Sequence, residues 1–209
     1  MAKRLQRITS DSFESLGVFA ARLPSQIVPE LSERLCWVSV IVATITVAMV
    51  TLGYLFQKEF AQALQQPSLR LTCLGLVFSS GLLFLVDRTG WLTKPRLLDL
   101  ALVFQIVVSF SIGMFETAIP MTADTPIRGL TYVGLWFFLC AFLLPNAPLR
   151  VALVAVASIM SWLLAYEVNR WVNGFPPYPQ IRLALVLGQM VVTGAWLFLI
   201  NGRVLSMHV

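Results

Sequence analysis

Four carboxylates are the residues of this chain whose chemistry would matter most if they lay deep: Asp87, Asp99, Glu116 and Glu167. An ionisable side chain inside a membrane is expensive and by default suggests an ion site or a proton relay. All four stand at the ends of apolar runs whose centres carry no charge. A relay needs partners at depth, so each is expected to be a boundary carboxylate that reaches water. Gln105 and Gln189 are the deepest strongly polar side chains. Their expected role is interhelical hydrogen bonding, worth on the order of 0.6 to 2 kcal/mol.

Nucleophilic and metal chemistry finds little support. Cys36, Cys73 and Cys140 lie in or beside apolar runs with no CxxC spacing, and the single histidine, His208, is next to last. The cysteines read as small packing residues and the histidine as a tail residue. GxSxG, HExxH, GxxxxGK[ST], HRD and DFG are all missing from the sequence. The chain is therefore expected to be non-enzymatic, with no cofactor and no metal.

Hydrophobic residues make up 58% of the 209 positions and charged residues 12%, with a mean hydropathy of +0.81. Soluble proteins average about 25% charged. The reading is an all-α polytopic membrane protein with the lipid bilayer as its first partner, too short to hold a soluble catalytic domain as well. The formal charge of +5 comes from bases spread along connectors. Nucleic acid binding needs a basic stripe, so it is not expected.

The elements that must carry these residues can be threaded from the stretch 88–120. Arg88, Lys94 and Arg96 precede a charge-free run bounded by Asp99 and Glu116. Basic residues favour the cytoplasmic side. Six spans follow at about 36–56, 69–86, 97–118, 130–145, 150–167 and 181–202, a six-helix transmembrane bundle. Residues 1–35 form a cytoplasmic leader with a short amphipathic segment begun by Asp11 and Glu14, and 204–209 a cytoplasmic tail. Ile27, Leu31 and Leu35 share a helical stripe beside a Glu30–Arg34 pair, which predicts a helix entering the first span. Ten of the fifteen Lys and Arg residues then lie inside and five outside. Both termini are expected in the cytoplasm, at a bacterial inner membrane.

Small residues recur four apart at Gly75 and Ser79, at Ser109 and Gly113, and at Ala157, Ser161 and Ala165. Close backbone approach of this kind holds helices together in lipid, and it would also serve a homodimer. Trp171, Phe175 and Tyr178 lie in a connector with Gly174, Pro176, Pro177 and Pro179. The aromatic and proline density marks a stiff interfacial loop on the outside, a candidate sensing loop.

The segments LPSQIVPELSERLCWVSV, RTGWLTKPRLLDLALVFQIV, LLPNAPLR, NGFPPYP and INGRVLSM resemble the amino-terminal multi-pass membrane region of some bacterial eukaryotic-like serine/threonine protein kinases. The similarity covers most of the chain from about Leu23, with LLDLALVF and GRVL carrying most of it. It implies a sensory or anchoring membrane module whose last span leads to a cytoplasmic kinase or other effector. No kinase motif stands in this sequence, so no catalytic residue carries over. The alternative function is a small multi-pass transporter or channel.

Overall fold

The computed structural model describes residues 28–56, 58–119, 131–143 and 148–206. Those residues form seven helices and no strands: α1 Val28–Phe56, α2 Lys58–Ala63, α3 Pro67–Thr89, α4 Lys94–Glu116, α5 Tyr132–Leu143, α6 Pro148–Asn173 and α7 Gln180–Ser206. The amphipathic leader segment at Asp11 and Glu14, the loop around Arg128, the turn at 145–147 and His208 lie outside the described residues.

Five helices, α1, α3, α4, α6 and α7, are long and apolar enough to cross a membrane. The fourth expected span, 130–145, is represented by α5, which has only twelve residues. At about 1.5 Å per residue those described residues cover ~18 Å, and 120–130 and 144–147 on either side lie outside the described residues. The start of α5 is fixed by chemistry instead of hydropathy. The hydroxyl of Thr131 accepts the amide of Gly134 at 3.3 Å, the geometry of an N-cap.

Helix ends elsewhere also follow local rules. Both α3 and α4 carry proline in the first turn, where the missing N–H is no loss. Gly90 ends α3 at φ 65°, and Gly174 follows α6 at φ 66°. Phe175 N donates to the Arg170 carbonyl at 3.1 Å, closing a Schellman turn that a glycine at 174 makes possible. At the amino end of α1, Arg34 pairs with Glu30 at 2.6 Å, as the i, i+4 spacing predicts.

The bundle is built around α4, which touches α1, α3, α5 and α6, most extensively α6. Of its apolar stretch 44% is buried, against 17% for α7. Two core clusters flank it. One joins Leu35, Val38 and Val42 of α1 to Leu76 and Leu83 of α3 and to Phe104 and Val108 of α4. The other joins Trp162 and Tyr166 of α6 to Met190 and Leu197 of α7. Short α5 serves both, giving Trp136 and Cys140 to the first and Val133 and Phe137 to the second. Leu71, Leu74, Phe78, Leu82 and Leu85 of α3 stay exposed on one stripe, as a lipid-facing surface would.

The tightest packing lies where α4 meets α6. A Cβ placed on Gly113 would stand 2.9 Å from Trp162 Cδ1, 3.0 Å from Ala165 Cβ and 3.2 Å from the backbone of Trp162. Ser109 and Ala165 are fully buried in the same region. The small-residue spacing read at Ser109, Gly113, Ser161 and Ala165 is thus a real helix–helix contact. At Gly75 nothing lies within 4 Å of an added Cβ, so that spacing marks no close contact among the described residues.

Candidate functional site

Each of the four carboxylates is engaged. Asp87 accepts the Ser32 hydroxyl at 2.6 Å, tying the end of α3 to the start of α1. Asp99 pairs with Arg150 at 2.9 Å, joining the start of α4 to the start of α6. Glu167 pairs with Arg170 one turn along α6, at 3.2 Å. Asp99 and Glu167, expected as boundary carboxylates, are about half exposed.

Glu116 departs from that expectation. It stands at the end of α4, but only 8% of it is exposed. Its Oε2 accepts the indole N–H of Trp162 at 2.8 Å, and its Oε1 accepts the backbone N–H of Tyr132 at 2.6 Å. Tyr132 is the first residue of α5, so its amide has no partner within the helix. The carboxylate therefore sits at the positive end of the α5 dipole, a favourable place for negative charge. One side chain of α4 thereby fastens both α5 and α6. Position along a helix axis placed Glu116 at a boundary; azimuth, set by α5 and α6, turned it inward.

A second polar layer adjoins it. Asn169, with no exposed surface, donates through Nδ2 to the Met114 carbonyl and to Thr117 Oγ1, both at 2.8 Å. Thr117 returns a hydrogen bond to the Gly113 carbonyl at 2.7 Å. These buried groups are paired, as a low-dielectric setting demands. Beyond them Tyr166 stacks on Trp162, with ring centroids 6.3 Å apart, and meets the Tyr178 ring at 4.6 Å. The Tyr166 hydroxyl accepts the Tyr178 amide at 2.9 Å, which clasps the α6–α7 loop onto α6.

Of the three aromatic residues read into that loop, Tyr178 is buried, Phe175 is half-buried, and Trp171 is 82% exposed on the last turn of α6. The helix runs to Asn173, past the expected end at 167. Gln105 and Gln189 are not brought together. The Gln105 carbonyl accepts the Trp136 indole at 3.2 Å, and Gln189 Oε1 is buried with no partner among the described residues.

A groove of about 910 Å³ opens between α1 and α5, with α4 as its floor. Ile41, Ile45 and Met49 form one wall and Trp136, Leu139 and Leu143 the other. Among the described residues that line it, Lys58 and Glu116 are the ones with a basic or acidic side chain. They mark the same end of the bundle, where α1 finishes and α5 begins. The volume lies in the range of small-molecule sites.

Trp162, Tyr166 and Asn169 were not singled out from the sequence, although they stand at i, i+4 and i+7 on α6. That spacing puts three hydrogen-bonding side chains on one helical face, a signal that composition alone conceals. Lys58 was read only as a connector charge. Among the described residues, no three His, Cys, Asp or Glu side chains gather as a metal site. Comparison with protein-family models, with curated proteins and with solved structures finds no match.

Proposed function

We propose that the chain is a non-enzymatic membrane module that crosses a bacterial inner membrane six times, keeps both termini in the cytoplasm, and senses or anchors for a cytoplasmic effector. The reading rests chiefly on α7. This helix runs unbroken for 27 residues from the loop held by Tyr178. At about 1.5 Å per residue that is ~40 Å, longer than a ~30 Å hydrocarbon core. A continuous rod fastened at one end to a stiff loop is suited to carry a displacement across a bilayer.

The six-crossing arrangement draws support from two contacts that bracket α5. Tyr132 meets Glu116 at one end of α4, and Arg150 meets Asp99 at the other. These contacts lie at opposite ends of α4, which supports reading the stretch that includes α5 as a crossing. The resemblance to receptor-type serine/threonine kinases makes a kinase domain the first effector to consider. Second to this stands a small transporter, favoured by the charged mouth of the groove.

Reporter fusions test the first reading. A fluorescent protein joined after Val209 should fluoresce, and an alkaline phosphatase joined there should be inactive, because the phosphatase matures only outside the inner membrane. The opposite pattern would end the proposal. Solute or ion flux through folded protein in proteoliposomes would replace it with the transporter.

A further inference from the structure

We propose that the rim of the bundle at the α3–α4 connector is a docking surface for an anionic phospholipid of the phosphatidylglycerol type, with its phosphate on Arg88 and Arg96 and an acyl chain along α3. The inference deepens the membrane-module reading and depends on it. The argument begins with the charges already engaged. Three acids at this end have partners: Glu30 pairs with Arg34, Asp87 accepts the Ser32 hydroxyl, and Asp99 pairs with Arg150. Arg88 and Arg96 are exposed and belong to none of the ion pairs between described residues. A guanidinium matches a phosphate through two parallel hydrogen bonds. Two such groups on one connector suit an anion from outside the chain.

Their setting selects a lipid over a soluble anion. Arg88 continues the exposed stripe of α3: it stands three residues after Leu85, which follows Leu82 and Phe78 at three- and four-residue steps. Its guanidinium carbon lies 5.5 Å from the Phe84 ring centroid, which keeps the charge against the flank of the helix. From Arg88 to Phe78 is ten residue steps, roughly 15 Å of helix at ~1.5 Å per residue. Half of a ~30 Å hydrocarbon core is about 15 Å. Base and apolar track together match one leaflet. Gly90, at φ 65°, ends α3, and Trp91 follows it 85% exposed. An indole so placed is at home among lipid headgroups. A zwitterionic head would bring its own ammonium toward the same two bases, so charge complementarity favours the anionic lipid.

The test uses the full chain in nanodiscs of phosphatidylcholine containing a trace of phosphatidylglycerol with a diazirine in its acyl chain. After irradiation, crosslinked residues are mapped by mass spectrometry. Labelling should concentrate on Phe78, Leu82 and Leu85 rather than on Val191 and Val192, which are similarly exposed on α7. Unlabelled phosphatidylglycerol should compete at least five-fold better than phosphatidylethanolamine. Arg88→Gln and Arg96→Gln, both at exposed positions, should each lower α3 labelling about five-fold, the scale of one base at a membrane surface, and leave α7 labelling unchanged. Equal labelling of α3 and α7, equal competition by phosphatidylethanolamine, a double variant that labels like the parent, or displacement by millimolar inorganic phosphate would overturn the proposal. None of these outcomes bears on where the carboxyl terminus lies, so the lipid site and the module reading can fail separately.

Discussion

The Trp162 indole donates to the Glu116 carboxylate at 2.8 Å across 46 residues of sequence, and both partners are buried. The same carboxylate holds the first amide of α5, so one acidic side chain secures three helices. Replacing Glu116 with alanine leaves two donors without their acceptor. An unsatisfied buried donor costs about 1 to 3 kcal/mol. Glu116→Ala should therefore destabilise the bundle by about 2 to 4 kcal/mol, and Trp162→Phe by about 1 to 3, in denaturant unfolding from micelles. The double variant should lose less than the sum, with a coupling of about 0.5 to 3 kcal/mol. Strict additivity would show that the contact contributes nothing.

Gly113 and Gly75 offer a paired comparison. The Cβ of Gly113→Ala would press on Trp162 and Ala165, including the Trp162 backbone at 3.2 Å. Overpacking of this kind costs about 1 to 3 kcal/mol. Gly75→Ala meets nothing within 4 Å and should be neutral or, through helix propensity, stabilising by up to about 1 kcal/mol. Thermal unfolding of both variants in the same detergent checks the contrast. Equal effects would refute the close α4–α6 contact.

Much of this interface was legible in the sequence. The four-residue spacing of Ser109 and Gly113, and of Ser161 and Ala165, marked the surfaces that meet, and Glu30 with Arg34 formed the pair their spacing implied. The end of α6 was misplaced: the helix reaches Asn173, further than its hydropathy suggested, and stops before Gly174 at φ 66°. Two things were not legible. The inward turn of Glu116 depends on Trp162 and Tyr132, which are distant in sequence and arrive only through packing. The start of α5 depends on the Thr131 cap, which a hydropathy average over Leu130 to Leu144 cannot register.

The Asp99–Arg150 pair joins α4 and α6 at the opposite end of the bundle from Glu116, with both side chains about half exposed. Exposed ion pairs contribute about 0 to 1 kcal/mol and weaken with salt. Asp99→Asn should thus lower stability by less than about 1 kcal/mol, and the difference from the parent should vanish at 1 M sodium chloride. A loss as large as that of Glu116→Ala, or one insensitive to salt, would contradict this ranking of the two ends.

The central claim, that α7 carries the chain from an outer loop to an inner terminus, is most directly tested by labelling single cysteines with a membrane-impermeant maleimide. Three variants suffice in a background with Cys36, Cys73 and Cys140 replaced by alanine: Trp91→Cys in the α3–α4 connector, Phe175→Cys in the α6–α7 loop and Met207→Cys beyond α7. The account predicts that Phe175→Cys reacts in cells whose outer membrane alone is opened, and that Trp91→Cys and Met207→Cys react only once the inner membrane is permeabilised as well. Reaction of Phe175→Cys and Met207→Cys from the same side would contradict it.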